Sequence, residues 1–276
     1  MLQLRYLWDS AAVSEGSVRG SVMKRIKIIA AYDGTAYHGW QIQPEARTVG
    51  REKKKSFSGL FGGEIRVIRG RRTDAGVHAL GNVAVFDTET KMEPSKISYA
   101  MNQRLPEDIR ILDSRQVADD FHPRHCDTVK TYEYRIYRAE FPMPVRRLYT
   151  YFTYHKLDVM AMREACAYLE GKHDFKSFCS AHASVESTVR TLYLVDIREE
   201  GPELVISISG NGFLYNMVRI IAGTLLDVGM GKYPAEHVAE IVNACDRSKA
   251  GPTVPACGLT LVSYQFPGNG KTGRRS

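Results

Sequence analysis

The most reactive arrangement in the chain is an aspartate set beside two arginines, in Arg71-Arg72-Thr73-Asp74-Ala75-Gly76-Val77-His78-Ala79. A nearby cation lowers the pKa of a carboxyl group and holds it ionised. An ionised, oriented Asp74 is a usable nucleophile or base. The competing reading is structural: a turn in which the aspartate caps backbone N–H groups. A second candidate is Arg219, in the apolar stretch 213–228. At helical spacing Leu214, Met217, Val218, Ile221 and Leu225 form a broad apolar face, and Tyr215, Arg219, Ala222 and Gly223 share another. A guanidinium in such surroundings needs an acidic partner, because an unpaired buried charge is very costly. Asp74 is one such partner, and Asp227 or an unidentified glutamate is the alternative. The small residues at 222 and 223 let another backbone come close. Tyr132 lies on an alternating segment, TYEYRIY, where a tyrosine packs more often than it reacts. The run Tyr32-Asp33-Gly34-Thr35-Ala36-Tyr37-His38-Gly39-Trp40 has rings for stacking on bases, or for packing in a tight turn.

Weaker signals carry less. Gly210-x-Gly212 lacks the third glycine and the lysine of a phosphate loop. His122-x-x-His125-Cys126 has no second ligand pair at zinc spacing, and Pro123 interrupts it, so no metal site is expected. There is no G-x-S-x-G elbow to support a serine hydrolase.

The elements that must position these residues are readable from periodicity. Strands are expected at 24–32, 64–68, 82–86, 109–112, 131–137, 191–197, 204–208 and 259–266. Helices are expected at 48–61, 94–105, 158–169, 213–228 and 234–244. Lys53 stands where the first helix should be apolar. Strands and helices mix without a strict βαβ rhythm. The pattern predicts an α+β fold of two similar halves, with mainly antiparallel sheets, packed helices and an active-site cleft between them. The N-terminal half, 23–115, would carry the Asp74 loop, and the C-terminal half would span 116–266. An N-terminal extension, 1–22, is expected to be disordered, and 267–276 forms a basic tail.

Composition bounds the class. The 276 residues are 43% hydrophobic and 25% charged, which excludes a fibrous, collagenous or wholly disordered chain. A net charge of +7 suits nucleic acid, a phosphorylated ligand or an acidic membrane surface, and equally a plain solvated basic surface. Five cysteines without C-x-x-C spacing are expected as reduced cytosolic thiols. No apolar run reaches the roughly 18–20 residues of a membrane span. Residues 1–22 lack a long apolar core and make a poor signal peptide, while a transit peptide or a start at Met23 stays open.

Several separated segments, in order, resemble the TruA family of tRNA pseudouridine synthases: YDGTAYHGWQIQP at 32–44, RTDAGVHALGNVAVFDT at 72–88, N-Q-x-L-P at 102–106, KTYEYRIY at 130–137, HDFKSFCS at 173–180 and GNGFLYNMVRIIAG at 210–223. The likeness spans about residues 23–266. It implies a pseudouridine synthase fold and the isomerisation of uridine to pseudouridine: the N-glycosidic bond breaks, the uracil rotates and carbon rejoins the ribose. It implies that Asp74 is the catalytic aspartate, that Tyr132 contacts the substrate and is a candidate for proton transfer, that Arg219 pairs with the aspartate, and that Arg72 holds the displaced nucleotide. It further implies tRNA as substrate, at uridines 38–40 beside the anticodon loop, a homodimer with one RNA touching both subunits, no cofactor and no metal. A cytoplasmic location and no membrane association go with that reading. The target base must leave its stack to react, and an apolar cleft with aromatics and an arginine offsets that cost.

Two positions depart from the family pattern. Arg71 stands where the family has glycine, which would strain the loop if positive φ is required there. Val49-Gly50-Arg51-Glu52-Lys53 replaces the family's Val-Gln-Gly-Glu-Leu, and Lys53 should loosen that helix. These departures motivate a rival: a catalytically weak tRNA-binding or tRNA-folding protein on the same scaffold. A more distant rival uses the Gly210 loop to bind a phosphate ligand.

Overall fold

A computed structural model describes residues 23–62, 65, 67–70, 73–180 and 186–266. Arg71, Arg72, the 1–22 extension and the 267–276 tail lie outside the described residues. The first half runs β1 (Lys24–Tyr32), α1 (Val49–Phe61), β2 (Val67–Arg69), β3 (His78–Thr88), α2 (Ile97–Asn102) and β4 (Ile109–Val117). The second runs β5 (Val129–Arg138), β6 (Tyr151–Thr153), α3 (Val159–Cys166), β7 (Gly171–Asp174), β8 (Val189–Glu200), β9 (Glu203–Gly210), α4 (Met217–Gly229), α5 (His237–Ala244) and β10 (Leu259–Gln265).

The strands join in one ten-stranded sheet, in the order β4-β1-β3-β10-β5-β9-β8-β7, with β2 added beside β3 and β6 beside β5. The α+β class and the mainly antiparallel pairing expected from sequence are both present. The parallel contacts are β10 with β3 and β6 with β5. The last strand therefore sits in the middle and links the two halves. Its register aligns a row across the sheet. Tyr32 pairs with Ile109 and Ala79, Ala79 with Leu261, Leu261 with Tyr132, Tyr132 with Ile208, and Ile208 with Val195. All seven side chains are buried. Alternation explains why: in β1, Ile26, Ile28, Ala30 and Tyr32 fall on one face with period two. Each large apolar side chain so buried contributes about 1.5–3 kcal/mol.

Some boundaries differ from the periodic reading. Residues 94–96 form a 3-10 turn, and α2 ends at Asn102 rather than 105. There the Asn102 carboxamide accepts from the Ile111 N–H at 2.7 Å and donates to the Ile111 carbonyl at 2.9 Å, tying the chain to β4. Helix α1 forms despite Lys53. Thr48 caps it, accepting from the Arg51 N–H, and Lys53 is buried with its Nζ 3.0 Å from the centre of the Trp40 ring. Helix α4 starts at Met217 rather than 213, because Asn216 turns into the left-handed region with φ of 59°.

Candidate active site

Asp74 lies in the 73–77 segment that leads into β3, and the 32–40 run cradles that segment. The Trp40 N–H donates to the Thr73 carbonyl at 3.3 Å, and the Gly76 N–H donates to the Tyr37 carbonyl at 3.0 Å. The Tyr32 hydroxyl lies 2.7 Å from the Thr73 hydroxyl and accepts from the Asn82 side chain at 3.0 Å. Gly39 adopts φ of 81°, and a Cβ there would come 2.4 Å from the Thr73 carbonyl oxygen. Only glycine allows that approach. Tyr32, Tyr37 and Trp40 are buried. Of the two readings of this run, packing in a tight turn is the one realised, and its rings support the Asp74 loop.

Arg219 comes from the first turn of α4. Its Nε donates to the Val254 carbonyl at 2.6 Å and its guanidinium donates to Asn216 Oδ1 at 2.8 Å. The 250–258 segment reaches the helix because residue 223 is glycine: a Cβ there would sit 2.0 Å from the Pro252 carbonyl oxygen. The Gly251 N–H also donates to the Thr224 hydroxyl at 2.9 Å. The small residues in α4 thus admit a second backbone, and that backbone anchors the arginine. The alternative partner, Asp227, is taken by Lys232 at 2.6 Å.

Asp74 is half-buried at the N-terminal end of α4. Burial raises its pKa, and this outweighs the lowering by the positive charge of Arg219 and by hydrogen bonding from the Asn216 backbone N–H. The carboxyl group therefore lies above its ordinary value, the reverse of the shift expected from neighbouring arginines alone. Arg219 acts on it through space. Among the described residues no ion pair joins the two. Tyr132 is buried in β5, with its ring edge-on to Phe213 at 5.0 Å between centroids. Phe213 stands three residues before Asn216, and Leu261 links Tyr132 across β10 to Ala79, next to His78 at the start of β3. The fold so draws Asp74, Arg219 and Tyr132 toward one region, from the start of β3, the start of α4 and the middle of β5. Arg72 cannot be placed with them, since it lies outside the described residues.

Sequence reasoning missed Asn216 and the Val254 carbonyl. Asparagine tolerates the left-handed region, which was a usable signal at the helix entry. A carbonyl has no side-chain signal. The weaker motifs are accounted for by packing. The Asn211 N–H between the two glycines donates to the Thr191 carbonyl at 3.1 Å. His122 and His125 stack at 3.9 Å, and among the described residues no cluster of three His, Cys, Asp or Glu side chains is placed to hold a metal ion.

A separate cavity of about 430 Å³ opens on the other face of the sheet, lined by Asp33, His78, Tyr149, Asp108, Glu133 and Arg135 among others. There His78 Nδ1 accepts from the Gly34 N–H at 3.0 Å, while Nε2 donates to the Leu148 carbonyl at 2.9 Å. Tyr149 donates to Asp33 at 2.7 Å. These bonds brace the start of β3 from behind.

Among the described residues no helix is long and apolar enough to cross a membrane. A family model described as tRNA pseudouridine synthase matches residues 28–125 and 165–267. A protein named tRNA pseudouridine synthase A from Acetivibrio thermocellus is 44% identical over 244 residues, covering 88% of this chain and 100% of that protein. Its namesake from Halalkalibacterium halodurans is 48% identical over 238 residues, covering 86% and 90%. That from Syntrophomonas wolfei is 42% identical over 249 residues, covering 90% and 100%. A solved structure, of a Cbf5-Nop10-Gar1 complex, aligns with 84% of this chain and 56% of that one at 11% identity and a TM-score of 0.30, too slight a likeness to carry an inference.

Proposed function

The chain belongs to the tRNA pseudouridine synthase family, and from that premise we propose that it isomerises uridine at positions 38–40 of the tRNA anticodon stem-loop, with Asp74 as the catalytic carboxylate. The observation that carries the residue assignment is the half-buried Asp74 carboxyl, held at the start of α4 in the field of Arg219. A carboxylate there is desolvated enough to be reactive and is still stabilised as an anion. Asp74 attacks the ribose or assists cleavage of its glycosidic bond; where it bonds to C1′, that bond breaks again as C5 attacks and the carboxylate is regenerated. The N1–C1′ bond breaks, the uracil turns, and C5 bonds to C1′. C5 then loses its proton and N1 gains one. Atoms and electrons balance within the nucleoside, so the step calls for no redox partner and no hydrolytic water. Tyr132, backed by Phe213, contacts the turned base and is the candidate for proton transfer. Arg72 holds the displaced nucleotide.

The basic surface supplies phosphate contacts that position the RNA without reading its sequence. We place the enzyme in the cytoplasm as a homodimer, one tRNA touching both subunits. The relatives are named as synthases, which gives the binding-only rival no support.

The test is to incubate unmodified tRNA with the purified protein and map pseudouridine by carbodiimide-dependent reverse-transcription stops. New stops at 38–40 are expected with the wild type. Asp74→Ala should abolish them while tRNA binding stays within about tenfold, or 1.4 kcal/mol. Retained turnover in Asp74→Ala refutes the assignment of the carboxylate, and stops elsewhere in the tRNA refute the assignment of the site.

A further inference from the structure

We propose that Asn216 is the positioning residue of this site, holding Arg219 off the Asp74 carboxylate so that the arginine supplies charge without occupying the reactive oxygens. The inference rests on the reading of Asp74 given above. Three observations lead to it. Asn216 has φ of 59°, and the other non-glycine residue with positive φ among the described residues, Cys245, closes α5. Such a conformation costs free energy and is retained where surrounding structure requires it. Next, the carboxamide is used at both ends. Its Oδ1 accepts from the Arg219 guanidinium at 2.8 Å and its Nδ2 donates to the Ser180 hydroxyl at 3.0 Å. Finally, the same turn brings the Asn216 backbone close enough to Asp74 to favour its anion.

The chemical consequence follows from arginine geometry. A free guanidinium next to a carboxylate forms a two-pronged pair that uses both carboxylate oxygens. An aspartate so engaged is a poor nucleophile and a poor base. Here Nε is engaged by the Val254 carbonyl and another guanidinium nitrogen by Asn216. The planar fork is thereby turned, and Asp74 feels its charge without being clamped by it. Removing the carboxamide frees one side of the fork to close onto Asp74.

The groups facing this pair among the described residues are few. Arg219 of α4 is the charge that acts on Asp74. Tyr134 of β5 and Cys257 of the 250–258 segment also feel the charge of Arg219, and burial pushes both of them up, so they are neutral at pH 7.

The experiment measures single-turnover conversion of unmodified tRNA, tRNA binding and thermal stability across a pH series. The proteins are wild type, Asn216→Gly, Asn216→Asp and Arg219→Ala. Glycine keeps the left-handed turn and the backbone N–H while deleting the carboxamide. Asn216→Gly is expected to bind tRNA within twofold of wild type and to convert it at least tenfold more slowly. Its acid limb should move to lower pH, as the freed arginine closes on Asp74. Arg219→Ala should move the limb the other way. Asn216→Asp keeps an oxygen acceptor for Arg219, and at pH 8 it should be faster than the glycine variant. An Asn216→Gly protein within twofold of the wild-type rate overturns the proposal, as does an acid limb that stays put or moves down with Arg219→Ala, or an Asn216→Asp protein no faster than Asn216→Gly. In each of those cases an active wild type leaves the synthase reading standing. A wild type that converts no tRNA overturns that reading and, with it, this proposal.

Discussion

Asp74 shows how two opposing effects settle at one carboxyl group. Arg219 and the Asn216 N–H favour the anion, burial disfavours it, and burial wins. The acid limb of the conversion rate should therefore lie above the ordinary aspartate value of 3.8. A limb at or below that value contradicts the burial argument, and a pH profile of single-turnover rates measures it. The same shift has a stability consequence. The folded protein holds this proton more tightly than the unfolded chain does, so the contribution is favourable at low pH and is lost as pH rises through the raised value. At neutral pH the ionised Asp74 weakens the fold. Asp74→Asn should raise the melting temperature at pH 7 while abolishing turnover, and by calorimetry a lower melting temperature would count against this. The residues themselves were legible in sequence. Asp74 beside arginines, Arg219 in an apolar stretch and Tyr132 on an alternating strand all stand out by type and neighbourhood. The direction of the Asp74 shift was not legible, because depth below the surface is set by residues far away in sequence. Nor was the role of Asn216, which depends on one backbone angle.

At the scale of elements, long periodic segments declared themselves and short ones did not. The 24–32 and 131–137 strands and the 48–61 helix stand close to their expected bounds. β6 and β7, of three and four residues, are too short to show a period. Lys53 was read as a loosening residue in α1, yet the helix keeps its turn there and lays the lysine over Trp40. The ring that receives it comes from the 32–40 run, which local pattern could not foresee. The approach of the 250–258 segment to α4 can be tested directly. Gly223→Ala would set a methyl group against the Pro252 carbonyl, and overpacking of this kind costs about 1–3 kcal/mol. That cost corresponds to a fall in melting temperature of several degrees. Val254, two residues on from Pro252, would shift with it, so turnover should fall by more than tRNA binding does. An unchanged melting temperature would mean that the contact is not tight.

For the whole molecule the decisive feature is β10. Its alternation predicted a strand, but nothing local told where in the sheet it would lie. It enters between β3 and β5 and ties the last residues of the chain to both halves. Heating should therefore melt the two halves together in one transition, and two separate transitions would contradict the continuous sheet. The overall charge of +7 acts at the same scale. Affinity for tRNA should fall steeply and linearly on a log–log plot against salt, whereas the acid limb set by Asp74 should hardly move. The fullest test of the account follows the carbon that is rejoined to the ribose. If C5 forms the new bond, a tritium label at C5 of uridine in an unmodified tRNA must pass into water. Wild-type protein should release that label from the anticodon stem-loop uridines, and Asp74→Asn, folded and still binding tRNA, should release none. Label retained by the wild type, or released equally by Asp74→Asn, would contradict the claim that this carboxylate drives the isomerisation.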